Sequence, residues 1–343
     1  MPADPTLDLA CAGAGWIATV HGYAAHHVPG LRISRVASRD PDHAALTAER
    51  MGAAPCSYAE LPAGAAGVIV CTPPAQHLEH ALHAIAAGAG VLIEKPLCAT
   101  LAEADQLVAA EEGGARIAYA ENLVHAPIVR LALAHAAQLH GVDLVEVRAL
   151  QSRPTWGDFL TSGWGGGVLF DLGVHPLAIA LLLAAPAAPV EVRATLEGAD
   201  DHPVDEHAEL QIHFDSGLLA RVTASWRGGD TPVWDAQVSA PDGVVRMELL
   251  PALLLERNGV EVRLPDLPEG VPDQLEELGY LPQIEAFALD LQQGRQPEMG
   301  AAFGRSVLDV VCAAYGSAGQ GGAWVDLPFA GRRDRTPLQL WRP

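Results

Sequence analysis

A strand-like run, LDLACA, leads directly into Gly13-Ala14-Gly15-Trp16-Ile17-Ala18, which fits G-x-G-x-x-G/A with alanine in the third place. The two glycines allow a tight turn and a close backbone approach to a pyrophosphate, and a small third residue lets helix and strand pack. The spacing therefore predicts a dinucleotide site with Gly13, Gly15, Trp16 and Ile17 around the phosphates. The second strand-like run ends Ala37-Ser38-Arg39-Asp40. An acidic residue there accepts from the ribose 2′-hydroxyl of NAD, whereas a guanidinium pairs with the 2′-phosphate of NADP. Ser38 and Arg39 favour NADP(H), with NAD(H) the alternative. Asp40 lies two residues late for the acidic role and is placed to cap a helix opening at Pro41.

The third run ends Cys71-Thr72-Pro73-Pro74, followed by Gln76-His77. Two prolines hold an extended turn at the carboxyl end of a strand, where open α/β sheets bind ligands, so Thr72, Pro73 and His77 are expected to border the cofactor. His77, His80 and His83 form an i, i+3, i+6 row; without a carboxylate or cysteine to complete a shell, it reads as a solvated helix face rather than a metal site. A fourth run, VLIEK, ends in Glu94-Lys95-Pro96. That lysine is either an ordinary solvated strand end or a fixed positive charge placed for chemistry. In GGGVLFDLGVHP, Asp171 and His175 stand four apart, a spacing at which a helix lets a carboxylate orient an imidazole. Pro176 calls for a kink or a helix start beside His175. Taken by itself, such a pair reads first as a satisfied structural histidine, with the catalytic reading as the alternative.

Around these residues, βαβα order runs to Asn122: LDLACA, a helix from about Ile17, LRISRVAS, DHAALTAERMG, GVIVCT, a helix from about Gln76, GVLIEK, TLAEADQLVAAEE and ARIAYAEN. The strands scarcely alternate, as expected of a parallel sheet buried on both faces. Residues 1–122 are thus expected to form a Rossmann domain. Residues 123–343 are expected to form an α/β domain, with helices near 126–140, 280–293 and 303–317 and alternating runs such as VEVRATLEG, AELQIHF and VWDAQVSA. Asp215-Ser216-Gly217, Asp242-Gly243 and Asn258-Gly259 mark turns, and the latter two are favoured hairpin dipeptides. These signals predict an open, predominantly antiparallel sheet. One face packs on helices and the other is a candidate contact in a homodimer or homotetramer.

Bulk composition narrows the function. Forty-two acidic against 21 basic residues give a net charge of −21, which repels nucleic acid and anionic membranes. No apolar run reaches the length of a membrane span, and the opening MPADPTLDLA has neither the basic nor the long apolar region of a leader, so a cytoplasmic location is expected. Five cysteines without a CxxC pair suit reduced thiols.

Together, GAGWIA, TPPAQH, Glu94-Lys95-Pro96 and GGGVLFDLGVH, with IEAFALDLQQGRQP and AAYGSAGQGGAWVDLP later on, resemble the Gfo/Idh/MocA family of oxidoreductases along nearly the whole chain. The resemblance implies a nicotinamide cofactor and a sugar, cyclitol or related polyol bound between the domains. By matching positions it implies Lys95, Asp171 and His175 as catalytic residues, and it suggests a cis Lys95–Pro96 bond. Histidine exchanges protons near neutrality, so His175 is expected as general base in oxidation and general acid in reduction, oriented by Asp171. Lys95 is expected to stabilise charge on the reacting oxygen. Glu94 is either a cofactor contact or a structural partner. Asn122 is a candidate cofactor or substrate contact, and Arg153, Trp156 and Trp164 are candidates for lining a sugar pocket. Ala18 in the third glycine position, and Leu123-Val124-His125 after Glu121-Asn122, depart from the family pattern. Alternatives of the same fold are a nicotinamide-dependent glycosidase, a reductase of dihydrodiols or small carbonyls, and a dinucleotide-sensing binding protein.

Overall fold

The computed structural model describes residues 7–342; the opening MPADPT, whose composition bears on a leader sequence, and Pro343 lie outside them. The first of two units takes the chain up to Cys98, Glu103–Ala126 and Leu267–Arg305. It is built from β1 (Leu7–Ala12), α1 (Trp16–His26), β2 (Leu31–Ala37), α2 (Pro41–Met51), β3 (Ala54–Cys56), β4 (Gly67–Val70), α3 (His77–Ala86), β5 (Gly90–Glu94), α4 (Leu101–Glu112) and β6 (Ile117–Ala120). The six strands are parallel in the order β3-β2-β1-β4-β5-β6. Strand order therefore reverses between β1 and β4, and the crevice beyond their carboxyl ends is where such sheets take a ligand. Every residue of β4, β5 and β6 is buried, which is why those runs lack alternation. The short edge strand β3 was not legible, because Pro55 sits in it; an edge tolerates a missing donor.

The second unit holds Ala99–Ala102, Pro127–Asp266 and the chain from Ser306 onward. In chain order it adds α5 (Pro127–Ala136), β7 (Leu144–Leu150), α6 (Val168–Asp171), α7 (Val174–Ala184), β8 (Pro189–Gly198), β9 (Asp205–Phe214), β10 (Leu219–Ser225), β11 (Val233–Ala240), β12 (Gly243–Leu250), β13 (Leu254–Arg257) and β14 (Val260–Glu261). After α8 (Asp273–Glu277) and α9 (Tyr280–Gln293) the chain closes with α10 (Ala301–Gly319), β15 (Val325–Asp326) and α11 (Pro337–Trp341). The sheet runs β14-β13-β12-β11-β7-β10-β9-β8-β15, antiparallel except where β10 pairs with β7. Val145, Val147, Ala220, Val222, Ala236 and Val238 are buried on one face, over which α7 lies. The other face carries ion pairs between strands, Arg148 with Asp235 and Arg221 with Glu146 among them.

Two details differ from expectation. The boundary at 122/123 is not the end of the first unit's business, because α9 returns to it: Ile284, Phe287 and Ala288 join Leu9, Ile33, Ile69 and Leu92 in one core. Gly67 and Gly90 begin β4 and β5 as glycines because a Cβ there would stand 2.8 and 2.4 Å from Leu291 side-chain carbons. An apolar helical stripe such as IEAFALDL announces burial without saying in which core. The second difference is a hairpin register. Asn258 and Gly259 form the expected two-residue loop, with φ of 54° and 75°. Ala240, however, pairs with Gly243, so the other loop is Pro241-Asp242 rather than Asp242-Gly243. Proline suits the first turn position, and Gly243 stays in the strand, where a Cβ would come 2.8 Å from Asn258 Oδ1. Among the described residues no single helix is long and apolar enough to cross a membrane.

Candidate active site

The Gly13–Gly15 turn is built where β1 and β4 end together. Gly13 N donates to Ala37 O at 2.8 Å and Cys71 N to Ala12 O at 2.7 Å, so three strand ends are tied at one point. Gly13 has φ +109°, and a Cβ on it would lie 2.6 Å from Cys71 O; no side chain fits. Gly15 faces the other way. Nothing lies within 4 Å of its Cβ direction, and this N-cap residue supplies no side-chain hydrogen bond to the start of α1, where the helix dipole is positive. Thr72 Oγ1 is a buried oxygen with no partner among the described residues. A helix start without a side-chain cap, an open glycine and an orphaned hydroxyl fit a pyrophosphate, so the residues present suit a dinucleotide.

At the adenosine end, Asp40 caps α2, accepting from Asp42 N at 3.0 Å and His43 N at 3.4 Å. Its carboxylate is thereby occupied by the helix. Arg39 is exposed, and the Ser38 hydroxyl accepts from Asp40 N. Tyr58, unnoticed in the sequence, stacks on His80 with ring centroids 4.2 Å apart. Burial pushes its phenol upward, against the opposing charge of Arg39.

His77 corrects the expectation of a solvated histidine row. Its ring is fully buried, with Nε2 2.7 Å from Thr72 O and Nδ1 3.1 Å from Leu97 O. Burial lowers its pKa. Rather than presenting a nitrogen to a ligand, the ring staples the loop after β4 to the loop after β5, which carries Lys95. The Lys95–Pro96 bond is cis and Lys95 is half-buried. Glu94 resolves toward its structural role. Oε1 lies 2.7 Å from His21 Nε2, and Oε2 accepts from Lys95 N at 3.1 Å. His21 lies on the buried face of α1 with Ala18, Ala24 and Ala25, a helical period that could have revealed it. Asn122 is likewise committed within the fold, donating from Nδ2 to Leu278 O at 2.7 Å.

In the second unit Asp171 ends α6, Leu172 and Gly173 break the helix, and His175 and Pro176 stand in the first turn of α7. The helix start that Pro176 calls for is therefore present. Proline near a helix start loses no intrahelical bond. Asp171 and His175 are both buried, and the His175 ring packs against Trp234 of β11 at 5.6 Å between centroids and 31° between planes. Trp234 escaped sequence reasoning, because nothing in the local pattern of β11 links it to α7. Arg153 does not stand ready for a substrate as expected: it pairs with Asp201 at 2.9 Å and Glu206 at 3.1 Å. Trp164 and the exposed Trp156 both lie edge-on to Phe159, at 4.6 and 4.8 Å, so the aromatic residues of this loop pack on one another. Among the described residues no group of three or more His, Cys, Asp or Glu is placed to hold a metal ion.

Comparison with known proteins places the chain in a family. Residues 7–121 match the model of an oxidoreductase family with an NAD-binding Rossmann fold, and residues 138–244 match the GFO/IDH/MocA C-terminal domain. D-xylose 1-dehydrogenase (NADP(+)) 2 of Haloferax volcanii is 28% identical over 84% of this chain and 90% of its own length. D-xylose 1-dehydrogenase [NADP(+)] of Haloarcula marismortui is 27% identical over 76% of this chain and 75% of its own. Among solved structures, GenD2 from gentamicin A biosynthesis, in complex with NAD, superposes with a TM-score of 0.84 at 26% identity, covering 95% of this chain and 98% of that one. The chain belongs to the Gfo/Idh/MocA family of NAD(P)-dependent oxidoreductases.

Proposed function

We propose that this enzyme transfers a hydride between a nicotinamide and the carbinol or carbonyl carbon of a sugar, cyclitol or related small polyol, with NADP(H) the preferred cofactor. The observation that carries the reading is the buried Asp171–His175 segment backed by Trp234, in a chain whose Gly13–Gly15 turn suits a dinucleotide. Sugar dehydrogenases among the relatives support the substrate class. When bound, the nicotinamide supplies the site that takes or gives the hydride. His175 takes the hydroxyl proton in oxidation and returns it in reduction, Asp171 sets its tautomer, and Lys95 donates to the reacting oxygen as negative charge grows on it. Absorbance of the reduced nicotinamide, followed with NADP+ and NAD+ against aldoses and inositols and in reverse against keto sugars, tests the reading. No change with any of them would refute it.

Cofactor preference has its own test. Arg39→Ala should weaken NADPH binding about tenfold or more while leaving NADH nearly unaffected, because a charge-assisted contact to the 2′-phosphate contributes roughly 1.5–3 kcal/mol. Equal losses for both dinucleotides, measured by fluorescence titration, would show that Arg39 does not read the phosphate.

A further inference from the structure

The glycine run before α6 sets an unusual problem. Helix α6 is a single turn, marginal by itself, and its cap residue Gly167 offers no side chain to the first amides. A residue 38 positions later supplies what is missing. Asp205, at the start of β9 and fully buried, accepts from Gly167 N at 3.0 Å through Oδ1 and from Leu169 N at 2.9 Å through Oδ2. The Tyr315 hydroxyl of α10 donates to the same Oδ1 and accepts from Gly167 N at 2.9 Å. A Cβ on Gly167 would lie 2.2 Å from Asp205 O, so glycine is required for the strand to come this close. From that anchor the turn is continuous: Asp171 N donates to Gly167 O, Leu172 N and Gly173 N to Val168 O, and His175 N to Leu172 O.

We propose that Asp205 is a positioning residue of the active site, its carboxylate fixing the start of α6 and through that turn the placement of Asp171 and of His175 against Trp234. The proposal rests on the reading of His175 as the proton-exchanging group. Burial pushes the Asp205 carboxyl above its ordinary value, against the pull of the Leu169, Tyr315 and Gly167 donors. Asparagine at 205 would keep the shape but turn an amide N–H toward one of the backbone donors. Displacements of about 1 Å at a reacting group cost about 10²-fold in rate, so kcat should fall by about that factor, with KM and dinucleotide Kd little changed.

The test uses the full chain labelled with 13C-histidine. The His175 ring signal, identified by its absence from His175→Asn, carries a ring-current shift from Trp234, calibrated by Trp234→Leu. In Asp205→Asn at least half of that shift should disappear, and in Tyr315→Phe the signal should move the same way by less. A variant that merely loses stability would melt at a lower temperature yet keep the native shift. An unchanged His175 signal in folded Asp205→Asn overturns the proposal; if that variant does not fold, an unchanged signal in folded Tyr315→Phe does so. Turnover is measured alongside with NADP+ and D-xylose as probe. Retained turnover in His175→Asn would remove His175 from the chemistry, whereas the ring shift decides independently whether Asp205 places it.

Discussion

Lys95→Met should lose about 10²–10³-fold in kcat while binding dinucleotide as the parent does, the size of effect seen when one donor to a developing oxyanion is removed. Methionine keeps the apolar stem and loses only the ammonium. The backbone around it should survive, because the bonds that tie the loop use other groups: Glu94 accepts from the Lys95 amide, His21 pairs with Glu94, and His77 holds Leu97 O to Thr72 O. Those bonds separate a chemical loss from a structural one. Steady-state kinetics with fluorescence titration of NADPH distinguish the outcomes. Unaltered kcat would take Lys95 out of the mechanism, and a parallel collapse of NADPH affinity would mean that it serves the cofactor rather than the reacting oxygen.

Gly13→Ala should fail at an earlier step. Its φ of +109° strains any residue with a Cβ, and that Cβ would meet the carbonyl oxygen of Cys71 at 2.6 Å, in a residue whose amide is held on Ala12 O. Strain and overpacking each cost about 1–3 kcal/mol, so the urea midpoint should drop by the equivalent of roughly 2–6 kcal/mol. Because the turn would have to open, NADPH affinity should fall at least about tenfold. A Gly15→Ala variant serves as the contrast, for nothing within 4 Å would meet its Cβ: stability should hold while dinucleotide affinity drops. Equal stability of the two variants would show that the close approach at Gly13 is not what the turn requires.

How far local pattern carries is clear from individual residues. The Gly13–Ala18 hexad, the βαβ order, the capping role of Asp40 and the helix start at His175 are all properties of neighbours within a few positions, where turn geometry and backbone donors dictate residue type. Periodicity puts His77 on a solvated face because it locates a helix stripe but cannot say that two loops close over it. Local pattern leaves Arg153 open to a substrate because its partners, Asp201 and Glu206, lie about fifty positions away.

The chain's own order of residues was enough to specify a dinucleotide turn, a lysine at a strand end, an Asp–His pair and the family that combines them. Only the tertiary structure decided that α9 completes the first core, that His21 takes Glu94, that Trp234 backs His175, and that Asp205 caps a glycine with no side chain of its own. The physical reason is the same in each case. A hydrogen bond or ring contact between residues tens of positions apart leaves no period or spacing along the chain; it exists only once strands and helices have brought the two groups to within a few ångströms.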